Sequence, residues 1–533
     1  MKSLKIFFLA VTCLVATTLA AQQPQSKGQM NSQKLATTLY LIENFYVDTA
    51  NIDKVTEDAI IAALKELDPH SAYISKKDVE KANEPLVGSF EGIGVTYQLI
   101  RDTITVISPV AGGPSEKVGI MTGDQIIKID GEDAFGKKID NEYVQKRLRG
   151  KKGTKVTVGV KRGNDPELID FEIIRDKIPL NSINASYMLD NHIGYIKLDR
   201  FAQESTQEFK EAFAKLQSQG MESLIFDLRG NTGGYLNTAI ELVDQFIDEG
   251  KLIVFTEGIH SPRQEWRSTA AGLYTTGKLI VLIDEGSASA SEILSGAIQD
   301  HDRGVVIGRR SFGKGLVQRP FNLPDGAQIR LTTSRYHTPS GRCIQRPYEK
   351  GAEDYAKEME KRLKHGEYYH ADSIHFPDSL KFKTDGGRTV YGGGGIMPDI
   401  FIPVDTAYNS KLYTNLVRKG ALNRFTTDYG LHHRDEIKAQ YGDFDNFNKD
   451  FTVGKDLIDG LKKAAEEAKV EWDEEQFKRS EKFLLLQIKA LIARNVWETQ
   501  QYYQVMASTD PGVQKAIEIL NDNKAFNKIL KSK

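Results

Sequence analysis

The sequence contains very little cysteine, with two residues, Cys13 and Cys343, among 533. Cys13 lies in an amino-terminal segment that we expect to be removed, so the mature chain would keep one thiol and could form no intrachain disulfide. Neither sign of charge is in excess, because 71 Lys and Arg stand against 73 Asp and Glu, a formal net charge of −2. This balance gives no broad electrostatic field that would point to nucleic acid or to an acidic lipid surface.

Long apolar runs are also missing beyond the amino terminus. The segment MKSLKIFFLAVTCLVATTLAAQQ has two early lysines, an apolar run over residues 6–16 and small residues ending in TLAA. This order predicts a secretory signal peptide over residues 1–21. A membrane anchor is the weaker alternative, because the apolar run is shorter than about 20 residues. We therefore expect an exported protein of the periplasm or cell envelope, with no stable membrane insertion.

A chain of 533 residues is too long for one hydrophobic core and predicts two to four domains. Residues 28–86 have apolar positions at helical spacing and predict an amino-terminal helical region. The segment LDPHSAYIS closes this region with a proline-containing turn, and we expect its His70 to be structural. Residues 409–533 are mostly helical and charged, a pattern that predicts packing or subunit contact, such as a homo-oligomer formed through the helical termini.

Short strands and glycine turns replace the helical pattern over residues 89–178. The stretch GGPSEKVGIMTGDQIIKIDG, residues 112–131, predicts a short helix, a turn, a strand and a second tight turn. This region resembles a PDZ domain. The resemblance implies that the loop EGIGV, with Gly92, Ile93, Gly94 and Val95, offers backbone amides to the terminal carboxylate of a protein tail, which adds as a strand.

Strands and helices alternate over residues 179–408. Five apolar segments, GYIKLDRF, SLIFDLRG, KLIVFTEG, KLIVLIDEG and GVVIGRR, predict buried strands, with amphipathic helices at 204–219 and 235–248. The pattern predicts an α/β domain with a largely parallel sheet and functional atoms at the carboxyl ends of its strands. A polar insertion at about 348–395 carries three histidines spaced by five, which favours a solvated loop over a metal site, and no role is predicted for it.

Two stretches place chemical groups in unusual surroundings: GSASASEILSGAIQD, residues 286–300, and SFGKGLVQ, residues 311–318. In one interpretation Ser289 and Glu292 form only a helix capping box. A phosphate loop is a second interpretation, since residues 308–314 spell G-x-x-x-x-G-K, but Gly315 replaces the magnesium-binding hydroxyl and a proline follows at 320. A histidine triad is less convincing than a serine with a lysine base, because no G-x-S-x-G motif occurs and His301 lies about 18 Å along the serine's own helix.

The remaining interpretation is a nucleophile with its base. Ser289 needs a group that takes its proton, and Lys314 can do so once burial lowers the pKa of its amine from about 10.4. The glycines on either side of Lys314 let the backbone bring the amine close. At a helix start, Ser289 would place a developing oxyanion near free backbone amides.

The same stretches carry a family resemblance. GSASASEILSGAIQDHDRGVVIGRRSFGKGLVQ is similar to the signature of the carboxy-terminal processing (tail-specific) proteases, serine endopeptidases with a Ser/Lys dyad. The resemblance implies a multidomain α/β protein with a crotonase/Clp-like protease core, between an amino-terminal helical segment with a PDZ domain and a carboxy-terminal helical region. It implies an acyl-enzyme mechanism, with protein or peptide substrates that have exposed carboxy termini and with no cofactor or metal.

Residue by residue, the resemblance assigns Ser289 as the nucleophile and Lys314, 25 positions later, as the general base. Gln318 would orient the amine. DLRGNTGG, residues 227–234, would supply one oxyanion amide from Gly233 or Gly234, and Ala290 the second. The alternative of a non-catalytic PDZ adaptor with a degenerate protease core stays open, although the intact Ser289, Lys314 and Gln318 argue against it.

Overall fold

The structure is a computed structural model that describes residues 26–136, 139–163 and 165–531. The predicted signal peptide at 1–21, with Cys13, lies outside these residues. Within the described part of the chain, no helix has the length and the apolar character needed to cross a membrane. The described residues fall into two compact units. The first comprises the described residues up to Ser75 together with Pro320–Leu331, and the second comprises those of Lys76–Arg319 together with those that follow Leu331.

The first unit contains two helices, Lys27–Phe45 and Ile52–Lys65, and the short strand Ala72–Ile74. This strand pairs in antiparallel fashion with residues 328–330. In the turn before it, the carboxylate of Asp68 accepts the backbone amide of His70 at 2.8 Å, so the backbone of this histidine is part of the turn.

The second unit opens with helix Val79–Val87 and the antiparallel strand pair Ser89–Gly92 and Asp176–Pro179. A six-stranded antiparallel sheet lies between the two members of this pair along the chain. Its strands are Val95–Ile100, Thr103–Pro109, Gln125–Ile129, Glu132–Asp133, Lys155–Lys161 and Ile169–Ile174. Helices Pro114–Lys117 and Asn141–Leu148 complete this small sheet domain, which has its own apolar core. Among the described residues, Val95–Ile100 is an edge strand with one neighbour.

A second six-stranded sheet, called here the central sheet, is largely parallel as predicted. Its order is Ile183–Met188, Ile193–Leu198, Ser223–Asp227, Lys278–Ile283, Val305–Gly308 and Ile400–Phe401, and only the first strand is antiparallel to its neighbour. Alternate side chains point to opposite faces of each strand, and both faces are buried.

Helices cover the two faces of the central sheet. Three of them pack on one face through a single apolar cluster: Ser205–Ser218, Leu236–Asp244 and Ala290–Asp300. The carboxy-terminal helices Pro511–Asn521 and Asn523–Lys531 pack on the other face. The result is a three-layer arrangement in which the two helices between Pro511 and Lys531 form one outer layer.

One predicted strand lies elsewhere. Leu252–Gly258 does not join the central sheet but pairs in antiparallel fashion with Ser261–Arg267 and, through Phe255, with His337. Its prediction as a buried strand is confirmed, and its assignment to the parallel sheet is wrong. An apolar run is the same for parallel and antiparallel pairing, because burial depends on the faces of a strand and not on its neighbour's direction.

The insertion is not a solvated loop throughout, so that prediction is wrong. It forms two short helices, two 3-10 turns and a hairpin: Ala352–Ala356, Glu358–Lys364, Ala371–Ser373, Asp378–Leu380, and Lys381–Lys383 with Thr389–Tyr391. Tyr355 and Arg362 are buried, at 5% and 2% exposure. An insertion rich in charge therefore still packs against the rest of the protein.

The carboxy-terminal region is helical, as predicted. Before the two helices on the central sheet, it contains Lys411–Arg418, Ala421–His432, Arg434–Tyr441, Phe444–Asp450, Lys455–Glu467, Glu474–Val496 and Thr499–Ala507. These helices share an apolar core separate from that of the sheet. Strands Leu316–Asn322 and Gln328–His337 connect the central sheet's loops to the insertion along the chain.

Candidate active site

Ser289 lies in the turn that follows strand Lys278–Ile283 and caps helix Ala290–Asp300. Its backbone has φ 56° and ψ −112°, a conformation that a non-glycine residue rarely adopts. All residues of the helix are buried, so the surrounding packing fixes this turn. Such strain at a turn between a strand and a helix is typical of functional sites, because only a tightly packed structure maintains it.

Lys314 lies in the loop after the neighbouring parallel strand Val305–Gly308. Its Nζ donates a hydrogen bond of 2.9 Å to Oε1 of Gln318, so the structure brings two of the predicted residues together. Gly313 has φ +90°, and a Cβ there would lie 3.2 Å from the Cβ of Arg346. A Cβ on Gly315 would lie 2.8 Å from the backbone nitrogen of Gln345. Both glycines thus permit close packing of the loop itself.

The carboxylate of Glu292 joins the two loops. It is fully buried and accepts four donors: the backbone amides of Ser289 at 2.8 Å, Gly313 at 2.7 Å and Lys314 at 2.9 Å, and the hydroxyl of Ser311 at 2.5 Å. The bond to the Ser289 amide is half of the predicted capping box. The same side chain also fixes the lysine loop, which the capping interpretation did not anticipate.

Burial raises the pKa of Glu292 to about 7, although its hydrogen bonds from Ser311, Lys314, Gly313 and Ser289 favour the ionised form. The carboxylate form can accept all four donors, whereas the protonated acid must use one oxygen as a donor itself. The joint between the two loops therefore depends on the ionisation of this group near neutral pH.

Tyr336 forms a second link between the loops. Its hydroxyl donates to the carbonyl oxygen of Lys314 at 2.8 Å and lies 3.1 Å from that of Ser289. The residue is 1% exposed, and burial raises the pKa of its hydroxyl well above the ordinary value, so it remains a donor. Sequence reasoning did not identify Tyr336, because it lies 47 positions after Ser289 in a strand with no motif of its own.

The turn of residues 227–234 lies against Ser289. A Cβ on Gly233 would lie 2.9 Å both from the Ala290 nitrogen and from the Ser289 Cβ. The Gly233 amide donates to Oδ1 of Asn231 at 2.8 Å. Within the described residues, the amides of Gly234 and Ala290 donate to no protein acceptor. The structure therefore brings the predicted oxyanion residues beside Ser289 and leaves one amide of the glycine pair available.

Asn231 fixes this turn. It is fully buried, its Nδ2 donates to the carbonyl of Leu198 at 2.9 Å, and its own carbonyl accepts the Ala288 amide at 2.9 Å and the Ser291 hydroxyl at 2.8 Å. One side chain and its backbone thus connect the glycine turn to the serine turn. Because each of these groups is buried, losing a partner would cost roughly 1–3 kcal/mol.

The base of the same turn is held by charge. Asp227 ends a central strand and is buried beside Arg229, whose Nη2 lies 2.6 Å from its Oδ2, while Lys197 lies 3.8 Å from its Oδ1. Burial opposes ionisation, yet the charges of Arg229 and Lys197 hold the pKa of Asp227 well below its usual range. Arg229 also pairs with Asp510 at 2.8 Å, so the carboxy-terminal region contacts the residues next to the glycine turn.

His301 lies at the carboxyl end of the helix that Ser289 begins. Its two ring nitrogens are engaged by Asp385 at 2.9 Å and by the Leu252 carbonyl at 2.7 Å. A cavity of about 410 Å³ opens at this end, bordered by His301 and Arg303, at the opposite end of the helix from the serine. Across residues 26–136, 139–163 and 165–531, no group of three or more His, Cys, Asp or Glu side chains could hold a metal ion.

The small sheet domain has a groove of about 130 Å³ beside its edge strand Val95–Ile100. Three of the four predicted loop residues, Ile93, Gly94 and Val95, line it, together with helix Asn141–Leu148. The fourth, Gly92, is paired with Asp176 in the adjoining strand pair. Gly94 has φ +73°, a conformation that glycine adopts readily.

Comparison with known proteins adds three family matches. Residues 192–353 match Peptidase family S41, residues 92–173 match the PDZ domain, and residues 412–498 match a family of unknown function. A carboxy-terminal-processing protease of Bartonella bacilliformis is 34% identical over 349 residues, which cover 64% of this chain and 80% of that protein. A probable CtpA-like serine protease of Staphylococcus aureus is 35% identical over 318 residues, covering 59% of this chain.

The chain spans 63% of the length of the Staphylococcus aureus relative. Among solved structures, the photosystem II D1 C-terminal processing protease is 26% identical and covers 58% of this chain and 89% of its own, with a TM-score of 0.34. The matches to family S41 and to the PDZ domain define the class, a serine peptidase that also contains a PDZ domain. Within that class, the chain belongs to the carboxy-terminal-processing protease family.

The glycine turn gives a first prediction. Gly233→Ala would place a methyl group against the Ala290 amide and the Ser289 Cβ, with φ at +100°, so we expect hydrolysis of a peptide substrate to fall at least about 10²-fold. Gly230→Ala is the matched control, because it also has positive φ but nothing within 4 Å of an added Cβ. Both variants are compared by thermal melt and by initial rate. Equal losses in the two would contradict the role of the turn.

Glu292 gives a second prediction. A folded-state pKa of about 7, above the ordinary 4.5, means that the folded protein binds this proton more tightly than the unfolded chain. The stability of wild type relative to Glu292→Gln should therefore fall as pH rises from about 4.5 to 7, by up to about 1.4 kcal/mol per pH unit, and then level. Urea unfolding of both proteins between pH 5 and pH 8 measures this difference in the free energy of unfolding. Ser289→Ala, which keeps the carboxyl, should track wild type, and a pH-independent difference would show that Glu292 does not titrate here.

Proposed function

We propose that the protein is a serine endopeptidase that cuts protein substrates near their carboxy termini, with Ser289 as nucleophile and Lys314 as general base. The observation that carries the proposal is the double link between the two loops. Glu292 accepts a backbone amide from each, and the Tyr336 hydroxyl lies within hydrogen-bond distance of a carbonyl oxygen from each. Two buried polar side chains shared by both loops restrain the position of Ser289 relative to Lys314. A reaction between these two residues requires such a restraint.

In the proposed reaction, neutral Lys314 takes the proton of the Ser289 hydroxyl as Oγ attacks the scissile carbonyl carbon. The tetrahedral intermediate collapses when the protonated amine gives that proton to the leaving amino group, and an acyl-enzyme remains. Water then attacks the ester with Lys314 again as base, which releases the new carboxy terminus and restores the serine. Gln318 orients the amine through the bond of 2.9 Å to its Oε1.

The oxyanion of the intermediate would accept backbone amides from Ala290 and from the glycine turn. Gly234 is the candidate that we favour over Gly233, because the Gly233 amide already donates to Asn231. Removal of a single donor of this kind typically costs about 10²–10³-fold in kcat. No metal or cofactor takes part in this scheme.

The PDZ domain would capture the tail of the substrate. Strand Val95–Ile100 has an unpaired edge within the described chain, and the groove beside it is bounded by helix Asn141–Leu148. A peptide could add to this edge as a further strand and place its carboxylate at the Gly94 loop. Export to the periplasm or cell envelope belongs to the same proposal and is supported by the amino-terminal sequence pattern.

The test of the chemistry measures the rate at which one unfolded protein substrate is cleaved by wild type and by four variants: Ser289→Ala, Lys314→Arg, Lys314→Ala and Gln318→Ala. We expect Ser289→Ala, Lys314→Arg and Lys314→Ala to lose at least about 10³-fold in cleavage rate. The arginine variant belongs to this group because a guanidinium keeps the positive charge but cannot act as a base in this pH range. Gln318→Ala should lose less, since both reacting groups remain. Each variant is checked by thermal melt.

Substantial activity in Lys314→Arg would assign the lysine an electrostatic role and remove it as the base. Binding of substrate tails without any Ser289-dependent cleavage would instead favour a non-catalytic adaptor.

Tail recognition gives a further prediction. A Cβ on Gly94 would lie 2.9 Å from Ile178 Cδ1 and 3.3 Å from Pro114 Cδ, so Gly94→Ala should displace the carboxylate loop. We expect this variant to lose its preference for a free over an amidated carboxy terminus in paired peptides. Gly112→Ala is the control, since it has φ +69° with no atom within 4 Å of the new Cβ. An unchanged preference in Gly94→Ala would show that tails are recognised elsewhere.

A further inference from the structure

The insertion, residues 348–395, contacts the loop of Lys314 through a buried arginine. Arg362 is 2% exposed. Its Nη1 donates to the Ser311 carbonyl at 3.0 Å and its Nη2 to the Arg310 carbonyl at 2.8 Å. These are successive carbonyls of the segment that leads to Lys314, and a planar guanidinium holds both of them with one rigid group.

A second residue of the insertion fixes that arginine. Oε2 of Glu367 accepts Nε of Arg362 at 3.2 Å and also pairs with the guanidinium of Arg310 at 2.7 Å. Glu367 therefore ties the side chain of the loop residue Arg310 to the group that binds its carbonyl. Because a buried charge is costly unless it is paired, the shared carboxylate stabilises both guanidinium groups in this position.

An aromatic contact is a further link between the insertion and the loop. The guanidinium of Arg346 lies 3.8 Å from the ring centroid of Tyr355, which belongs to the insertion, and 4.1 Å from that of Phe312 in the loop. The backbone amide of Arg346 donates to the Gly313 carbonyl at 3.0 Å. Gly313 directly precedes Lys314, so Arg346 links the ring of Tyr355 to the residue next to the proposed base.

The end of the insertion also reaches the link between the two loops. A Cβ on Gly395 would lie 2.7 Å from the Ser311 carbonyl oxygen, so the backbones are in close contact. The next residue, Ile396, donates its amide to Ser311 Oγ at 2.6 Å, and that hydroxyl donates to Glu292. The insertion and the residues that flank it thus contact three kinds of group on the loop: two backbone carbonyls, the ring of Phe312 and the hydroxyl of Ser311.

We propose that the insertion acts as a brace that holds the Lys314 loop in its working position, with Arg362 as the principal positioning residue. Its effect on catalysis rests on the proposed function. A general base must stay within hydrogen-bond reach of its proton, and a misplacement of about 1 Å can cost about 10²-fold in rate. The brace supplies this restraint from outside the segments that carry Ser289 and Lys314.

The experiment compares wild type with Arg362→Met, Arg362→Lys and Lys364→Met. Lys364 lies on the same short helix, with 70% of its side chain exposed, and pairs with Glu360, so its variant controls for loss of a cation from the insertion. Two measurements are made on each protein: amide hydrogen exchange of residues 309–316 by mass spectrometry, and kcat and KM for one peptide substrate.

We expect Arg362→Met to speed exchange in 309–316 and to lower kcat about 10- to 100-fold with KM within about twofold, while Lys364→Met matches wild type. Arg362→Lys should recover part of both effects, since an ammonium can still reach one carbonyl. If Arg362→Met does not fold, the lysine variant carries the test, with an intermediate loss expected. Unchanged exchange in the loop, or faster exchange with unchanged kcat, would overturn the brace.

Failure of the proposed function has a different signature. Cleavage by wild type that persists in Ser289→Ala would remove the proposed chemistry, while the exchange measurement would still decide whether Arg362 fixes the loop.

Discussion

A single buried carboxylate sets the shape of the candidate site. Glu292 is buried, where an unpaired charge would be costly. Hydrogen bonds from four donors, which come from two loops rather than one, offset the free-energy cost of burying its carboxylate. Because each donor must keep its position to satisfy the carboxylate, the turn of Ser289 and the loop of Lys314 cannot move independently. Tyr336 adds the same restraint on the carbonyl side.

The two loops are held in place because helices cover both faces of the central sheet. The serine turn and the lysine loop follow adjacent parallel strands, and their carboxyl ends meet at one edge of the sheet. The strained backbone of Ser289, at φ 56°, is maintained by a helix that is buried along its whole length. Rigid layers therefore supply the precision that polar contacts alone, each worth about 1 kcal/mol, would not.

Parts of the chain far from Ser289 and Lys314 in sequence also contact the candidate site. Asp510, in the carboxy-terminal region, pairs with Arg229 next to the glycine turn, and the insertion contacts the lysine loop through Arg362. The groove beside strand Val95–Ile100 lies in a separate small domain with its own core. The chain thus places the candidate catalytic residues in loops of the central sheet and the groove in a domain that packs around a different core.

The sequence by itself determined the local elements and the chemical groups. Periodicity, capping and turn residues act over a few positions, and they were sufficient for four strands of the central sheet and for the helix that Ser289 begins. The pairing of Lys314 with Gln318 was expected from the family resemblance alone. The domain limits drawn from the sequence stay predictions.

Tertiary structure alone decided which strands lie side by side and which buried side chains join the two loops. Strand Leu252–Gly258 was placed in the wrong sheet, and neither Tyr336 nor Arg362 was identified. Their partners lie 22 to 52 positions away along the chain, where no local pattern records the contact. Such pairings form because packing brings distant backbone groups together and leaves each buried polar atom in need of a partner.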